Sequence, residues 1–221
     1  MDKAPPEVLA SILAELAEYS TLFVQSTQRL IQAGDRKLRS LDFLAVPVSN
    51  RALSLTAAYV TLANAGNYLT AVSLIRLQLD NALRFFATTL VADSDDFALH
   101  FLDGKAIRDY SDARGKKLTD NYLAQQLEHY FPTTMQLYKD ACGYIHLSDQ
   151  HVAPTITHTV DASAATNFRN IVGLQVGDLD TFSLEEKIDF SRTMREVSKL
   201  VLIVLEQWKH EKNKLSTLAG S

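Results

Sequence analysis

Cysteine occurs once in the 221 residues, at Cys142. A single thiol excludes an intramolecular disulfide framework and any cysteine-based zinc cluster. Proline and glycine are scarce as well, at five and eight residues, which argues against a turn-rich sandwich or barrel. No apolar run reaches the roughly 18 residues of a membrane span, and the opening MDKAPPEVLA shows no leader pattern. A cytoplasmic chain with no membrane contact is therefore expected. There is also no strong excess of either charge. Lys and Arg total 22 against 26 Asp and Glu, for a formal net charge of -4. No global field would steer nucleic acid, so binding of RNA or a nucleotide would need a local patch.

What the chain does contain is helical patterning. Hydrophobic residues make up 47%, enough to build a packed core. PPEVLASILAELAEYSTLFVQSTQRLIQAG reads as an amphipathic helix with Pro5 and Pro6 in its first turn and Gly34 at its stop. DRKLRSLDFLAVPVSN, with Pro47, reads as a connector. Asn50 and Asn67 then suit the N-caps of two largely apolar, central helices. Shorter helices and an exposed loop at Arg114–Lys117 follow, and Pro132 opens another helix. Ser183 and Glu186 make a capping box for a long last helix. VAPTITHTV alternates and is β-branched, and with NFRNIVGLQVGDLD it predicts a short β-hairpin near residues 152–177. The expected fold is all-α, a bundle of six or seven helices in one domain over residues 1–221, with the N-terminal helix (1–34) peripheral.

Candidate chemistry concentrates in YKDACGYIHLSDQH. At about 100° per residue, Lys139, Gly143, His146 and Gln150 share one stripe of a helix. Tyr138 and Cys142 flank it. Such a polar stripe on an apolar helix has to face a cavity, a partner or water. On the third helix Ser73, Arg76, Asp80 and Arg84 fall within about 80° of one another. Arg76 and Asp80 are spaced to pair. Two readings follow. Either the pair is an internal salt bridge that orients two helices, or Arg76 offers its guanidinium to a phosphate or carboxylate while Asp80 fixes its direction.

Other chemistries fit less well. His146 and His151 lie about 140° apart on a helix, which is poor chelating geometry, and no resident metal or cofactor is expected. Ser148 has no glycine-flanked elbow. Cys142 lies on the apolar side of its helix, as inert thiols commonly do. There is no glycine-rich phosphate loop. One arrangement stays coherent. A histidine and a cation on one helix face can cleave RNA without metal, the histidine moving the proton and the cation stabilising the phosphorane.

In this architecture, and in the helix around KDACGYIH, residues 50–210 resemble the HEPN superfamily of all-helical nucleotide-binding proteins and ribonucleases. Many active members carry an arginine, four to six further residues and then a histidine near the start of a late helix. They dimerise to join two such motifs, and they are common in bacterial toxin–antitoxin and phage-defence systems. Here Lys139 stands at the arginine position, keeping the charge but losing the bidentate fork. The resemblance implies a homodimeric endoribonuclease or RNA-binding effector, with His146 as general base and Lys139 as phosphate contact. The alternative is a non-enzymatic helical module. In that case Arg76, Asp80, Tyr138, His146 and Gln150 would line a polar pocket for a small ligand or a protein partner.

Overall fold

The computed structural model describes residues 4–143, 156–160, 170–174 and 182–219. They form seven α-helices: α1 (Pro5–Gln32), α2 (Asp42–Asn64), α3 (Tyr68–Phe86), α4 (Ser94–Leu102), α5 (Asp120–Glu128), α6 (Thr134–Gly143) and α7 (Leu184–Ala219). The all-α bundle is as the patterning predicts. Within the segment expected to form a hairpin, strands β1 (Ile156–Val160) and β2 (Asn170–Leu174) pair antiparallel, with His158 opposite Val172. No helix among the described residues is long and apolar enough to cross a membrane.

Local chemistry starts α3 and α7 where the sequence suggests. Asn67 accepts the N–H of Thr70 at 3.3 Å to cap α3. The Glu186 carboxylate accepts the Ser183 N–H at 2.7 Å, and Ser183 Oγ accepts the Glu186 N–H at 3.3 Å, closing the capping box of α7. Burial then selects the packing faces. Leu16, Phe23 and Leu30 of α1 recur at heptad spacing and are essentially inaccessible. They pack in the same hydrophobic core as Val197, Val201 and Leu205 of α7. The N-terminal helix is thus part of the core, which differs from the peripheral position expected of it.

The start of α2 also differs from expectation. The helix begins at Asp42, and Pro47 lies inside it. Proline there forfeits its own donation to the Phe43 carbonyl. Two effects offset that loss. Leu44, Ala45 and Val48 are buried, and Asp42 ties the first turn to α7. One Asp42 oxygen accepts Nζ of Lys212 at 2.6 Å, the other accepts Nε1 of Trp208 at 2.9 Å. Lys212 is fully buried and also donates to the Leu30 carbonyl at 3.2 Å, in the last turn of α1. Gly34 turns the chain just beyond, at φ +61°. A Cβ there would lie 2.9 Å from the Lys212 side chain, so both backbone and space require glycine.

A polar seam runs through the core where α2, α3 and α7 meet. The Gln78 amide donates to Thr56 and to Ser198, each at 3.1 Å, and the hydroxyls of Tyr59 and Ser191 meet at 3.2 Å. These hydroxyls and the Gln78 amide nitrogen are paired and so escape the cost of unsatisfied burial, whereas the Gln78 amide oxygen is buried without a partner among the described residues. They fix α3 at the centre and turn its opposite flank, which bears Arg76, Asp80 and Arg84, toward α2, α5 and α6.

Candidate functional site: an arginine centre between four helices

Arg76, Asp80 and Arg84 lie one helical turn apart on α3. Their neighbours set the site. Asp120 is the first residue of α5, where the helix dipole favours a carboxylate. Thr119 caps that helix, accepting the Tyr122 N–H at 3.3 Å. Arg84 donates through Nε to Asp80 at 3.0 Å, and its Nη2 forms an ion pair with Asp120 at 2.7 Å. Arg51, from α2, reaches Asp80 at 3.2 Å. Arg76 lies 3.4 Å from Asp120 but 3.9 Å from Asp80. The i,i+4 pair read from the sequence is therefore the longest contact in the cluster, and Asp80 is held mainly by Arg84 and Arg51.

The fourth wall is α6. The Arg76 guanidinium carbon sits 4.7 Å from the centre of the Tyr138 ring, a cation–π contact that strengthens as water is excluded. Only 11% of the Arg76 side chain is exposed. Burial alone would lower its pKa. The Cys142 sulfur, Asp80 and Tyr138 outweigh burial, and the net shift is upward. The Tyr138 hydroxyl is also shifted up, by burial first and by Cys142, with Arg76 opposing. Among the described residues the centre thus brings three guanidiniums against two carboxylates, with the Cys142 sulfur a further partner of Arg76.

The structure brings Arg76, Asp80 and Tyr138 together. Lys139 follows Tyr138 on α6 and is exposed. His146 and Gln150 lie outside the described residues. The sequence reading missed Arg51 and Asp120 as members of the cluster. Arg84 was visible on the same stripe of α3 but was not singled out. Cys142 is half-buried beside Arg76, in a more polar setting than the apolar side of a helix suggests.

Two other polar clusters account for themselves structurally. The Lys212–Asp42–Trp208 group is sealed in the core. Asp112 organises the exposed loop at 114–117, accepting the Tyr122 hydroxyl at 2.6 Å and the N–H groups of Lys116 and Arg114 at 2.8 and 2.9 Å. Burial would raise the Asp112 pKa, but these bonds prevail and lower it. Among the described residues no group of three or more His, Cys, Asp and Glu could hold a metal.

No family model, curated protein or solved structure matches the chain. Function is therefore argued from the chemistry of the site.

Proposed function

We propose that this chain is a helical ligand-binding module whose Arg51–Arg76–Arg84 centre holds an anionic group, a carboxylate or a phosphate. The observation that carries this reading is an exposed arginine held at the edge of a partly buried ion-pair cluster. Asp80 and Asp120 pair with Arg76 and Arg84 in the interior. Asp80 also orients Arg51, which among the described residues has no second carboxylate partner and is 41% exposed to an incoming anion. Arginine suits that task, since its planar fork matches carboxylate and phosphate oxygens. The test is calorimetric titration with acetate, inorganic phosphate and adenosine monophosphate at constant ionic strength. Saturable binding that is weakened at least tenfold in Arg51→Gln is expected. Absence of binding by all three anions would reject the reading.

A second reading extends the first to RNA. Lys139 is exposed one residue after Tyr138, whose ring meets Arg76. Lys139 is thus open to an RNA phosphate on the outer face of α6. The exposure of Lys139 supports the HEPN-like reading, in which His146 moves the proton of the 2′-hydroxyl, Lys139 stabilises the phosphorane, and two copies of the chain complete the site. An RNA cleavage assay in EDTA tests it. Cleavage should be lost in His146→Ala with the melting temperature unchanged. Intact RNA at high concentrations of the wild-type chain would reject it.

A further inference from the structure

The arginine centre opens on its α2–α3 side into a groove of about 360 Å³. That places it near the lower end of small-molecule sites, at ~300–1,000 Å³. Its walls are mainly apolar. Leu44, Pro47 and Val48 come from α2, Phe101 from α4, and Ile107 from the turn beyond. The polar lining is Arg51, Asp80, Asn81 and Arg84. Asn81 is committed, its amide donating to the Val48 carbonyl at 2.8 Å. Asp80 already receives two guanidiniums. Arg84 is shared between two carboxylates. Arg51 is different. Among the described residues it pairs only with Asp80, and 41% of its side chain is exposed.

We propose that this groove binds a small monoanion with an apolar body, an aromatic or medium-chain carboxylate. Its carboxylate sits on Arg51, and its body lies between Val48, Phe101 and Ile107. The proposal rests on the anion-binding reading above and adds the class of ligand. Two features select that class. One exposed arginine on the groove, with a single carboxylate partner among the described residues, matches a monoanion, whereas a polyphosphate would bring more charge than it can neutralise. The apolar walls reward a hydrocarbon body, which a bare inorganic ion lacks. Phe101 at the rim is itself 38% exposed, apolar surface that such a body would cover.

The test is calorimetric titration with acetate, butanoate, octanoate and inorganic phosphate at constant ionic strength. The proteins are the wild type, Arg51→Gln and Ala106→Trp. Ala106 lines the groove and is exposed, so a larger side chain there fills the groove without entering the core. Affinity should rise at least tenfold from butanoate to octanoate, consistent with burial of several methylenes. Octanoate binding should be lost in Ala106→Trp and weakened at least tenfold in Arg51→Gln. If acetate, phosphate and octanoate bind alike and Ala106→Trp has no effect, the ligand class is overturned and the anion centre stands. Octanoate binding that Arg51→Gln leaves unchanged overturns the placement of the carboxylate. No binding of any of the four overturns both.

Discussion

Nη2 of Arg84 lies 2.7 Å from Oδ1 of Asp120, and this contact joins the central helix α3 to the start of α5. The same guanidinium holds Asp80 through Nε at 3.0 Å. Arg84 is therefore the keystone of the centre, although the pair suggested by spacing is Arg76 with Asp80. Removing Arg84 and Asp120 singly and together should give a coupling energy of about 1–2 kcal/mol, since the contact is partly buried and charge-assisted. Urea unfolding of the four proteins of this cycle measures it.

The carboxylates and the arginines are not equivalent. Asp80 is the shared counter-ion of three guanidiniums. Asp80→Ala should cost about 2–4 kcal/mol, between exposed and fully buried pairs. Arg76→Ala leaves Asp80 with two partners and should cost about 1–2 kcal/mol on the same argument. Equal losses in urea midpoints for the two variants would show that Arg76, rather than Arg84 and Arg51, is the main partner of Asp80.

The Lys212–Asp42 pair should behave as a closed structural tie. Both side chains are essentially inaccessible. Lys212→Met leaves Asp42 without its cation and should cost about 3–5 kcal/mol. The double variant Lys212→Met with Asp42→Asn should lose less than the two single losses combined, because no lone charge remains. Denaturant unfolding of the three variants checks both statements.

Glu128 should give the fold a measurable acid sensitivity. Its carboxylate accepts the N–H groups of Met135 at 2.7 Å and Thr133 at 3.0 Å, at the start of α6. The Met135 bond foremost, with Thr133 and Thr134, holds its pKa below the ordinary glutamate value, against a smaller burial effect. A lowered folded pKa means the stabilisation is complete above the unfolded value, about 4.3. It is lost as pH falls through the folded one. The difference in urea midpoint between wild type and Glu128→Gln should shrink as pH drops from 6 to 3. A constant difference would show that the Glu128 charge does not anchor α6.

What was legible in the sequence was local. Asn67 and the Ser183–Glu186 box act within one turn, so spacing alone reveals them. The stripe of Arg76, Asp80 and Arg84 is legible from helical phase, whereas Tyr138 meets Arg76 only through the packing of α6 on α3. Arg51 and Asp120 were not legible. They lie 29 and 44 residues from their partners on α3, and only the crossing of helices brings them near. Pro47 misled for a related reason. It reads as a break, yet burial of Leu44 and Val48 and a tie to Lys212, 170 residues away, keep the helix intact around it. Tertiary burial overrode propensity there.

The central claim is that the arginine centre binds an anion through Arg51. Resonances of the guanidinium Nε–Hε groups, followed by NMR during titration with octanoate at constant ionic strength, test it most directly. The account predicts saturable shifts at Arg51 and Arg84, which line the groove, with the larger at Arg51 and no response at Arg29 or Arg192, whose ion pairs lie on the surface. Shifts that are absent, or equally spread over all four residues, would contradict it.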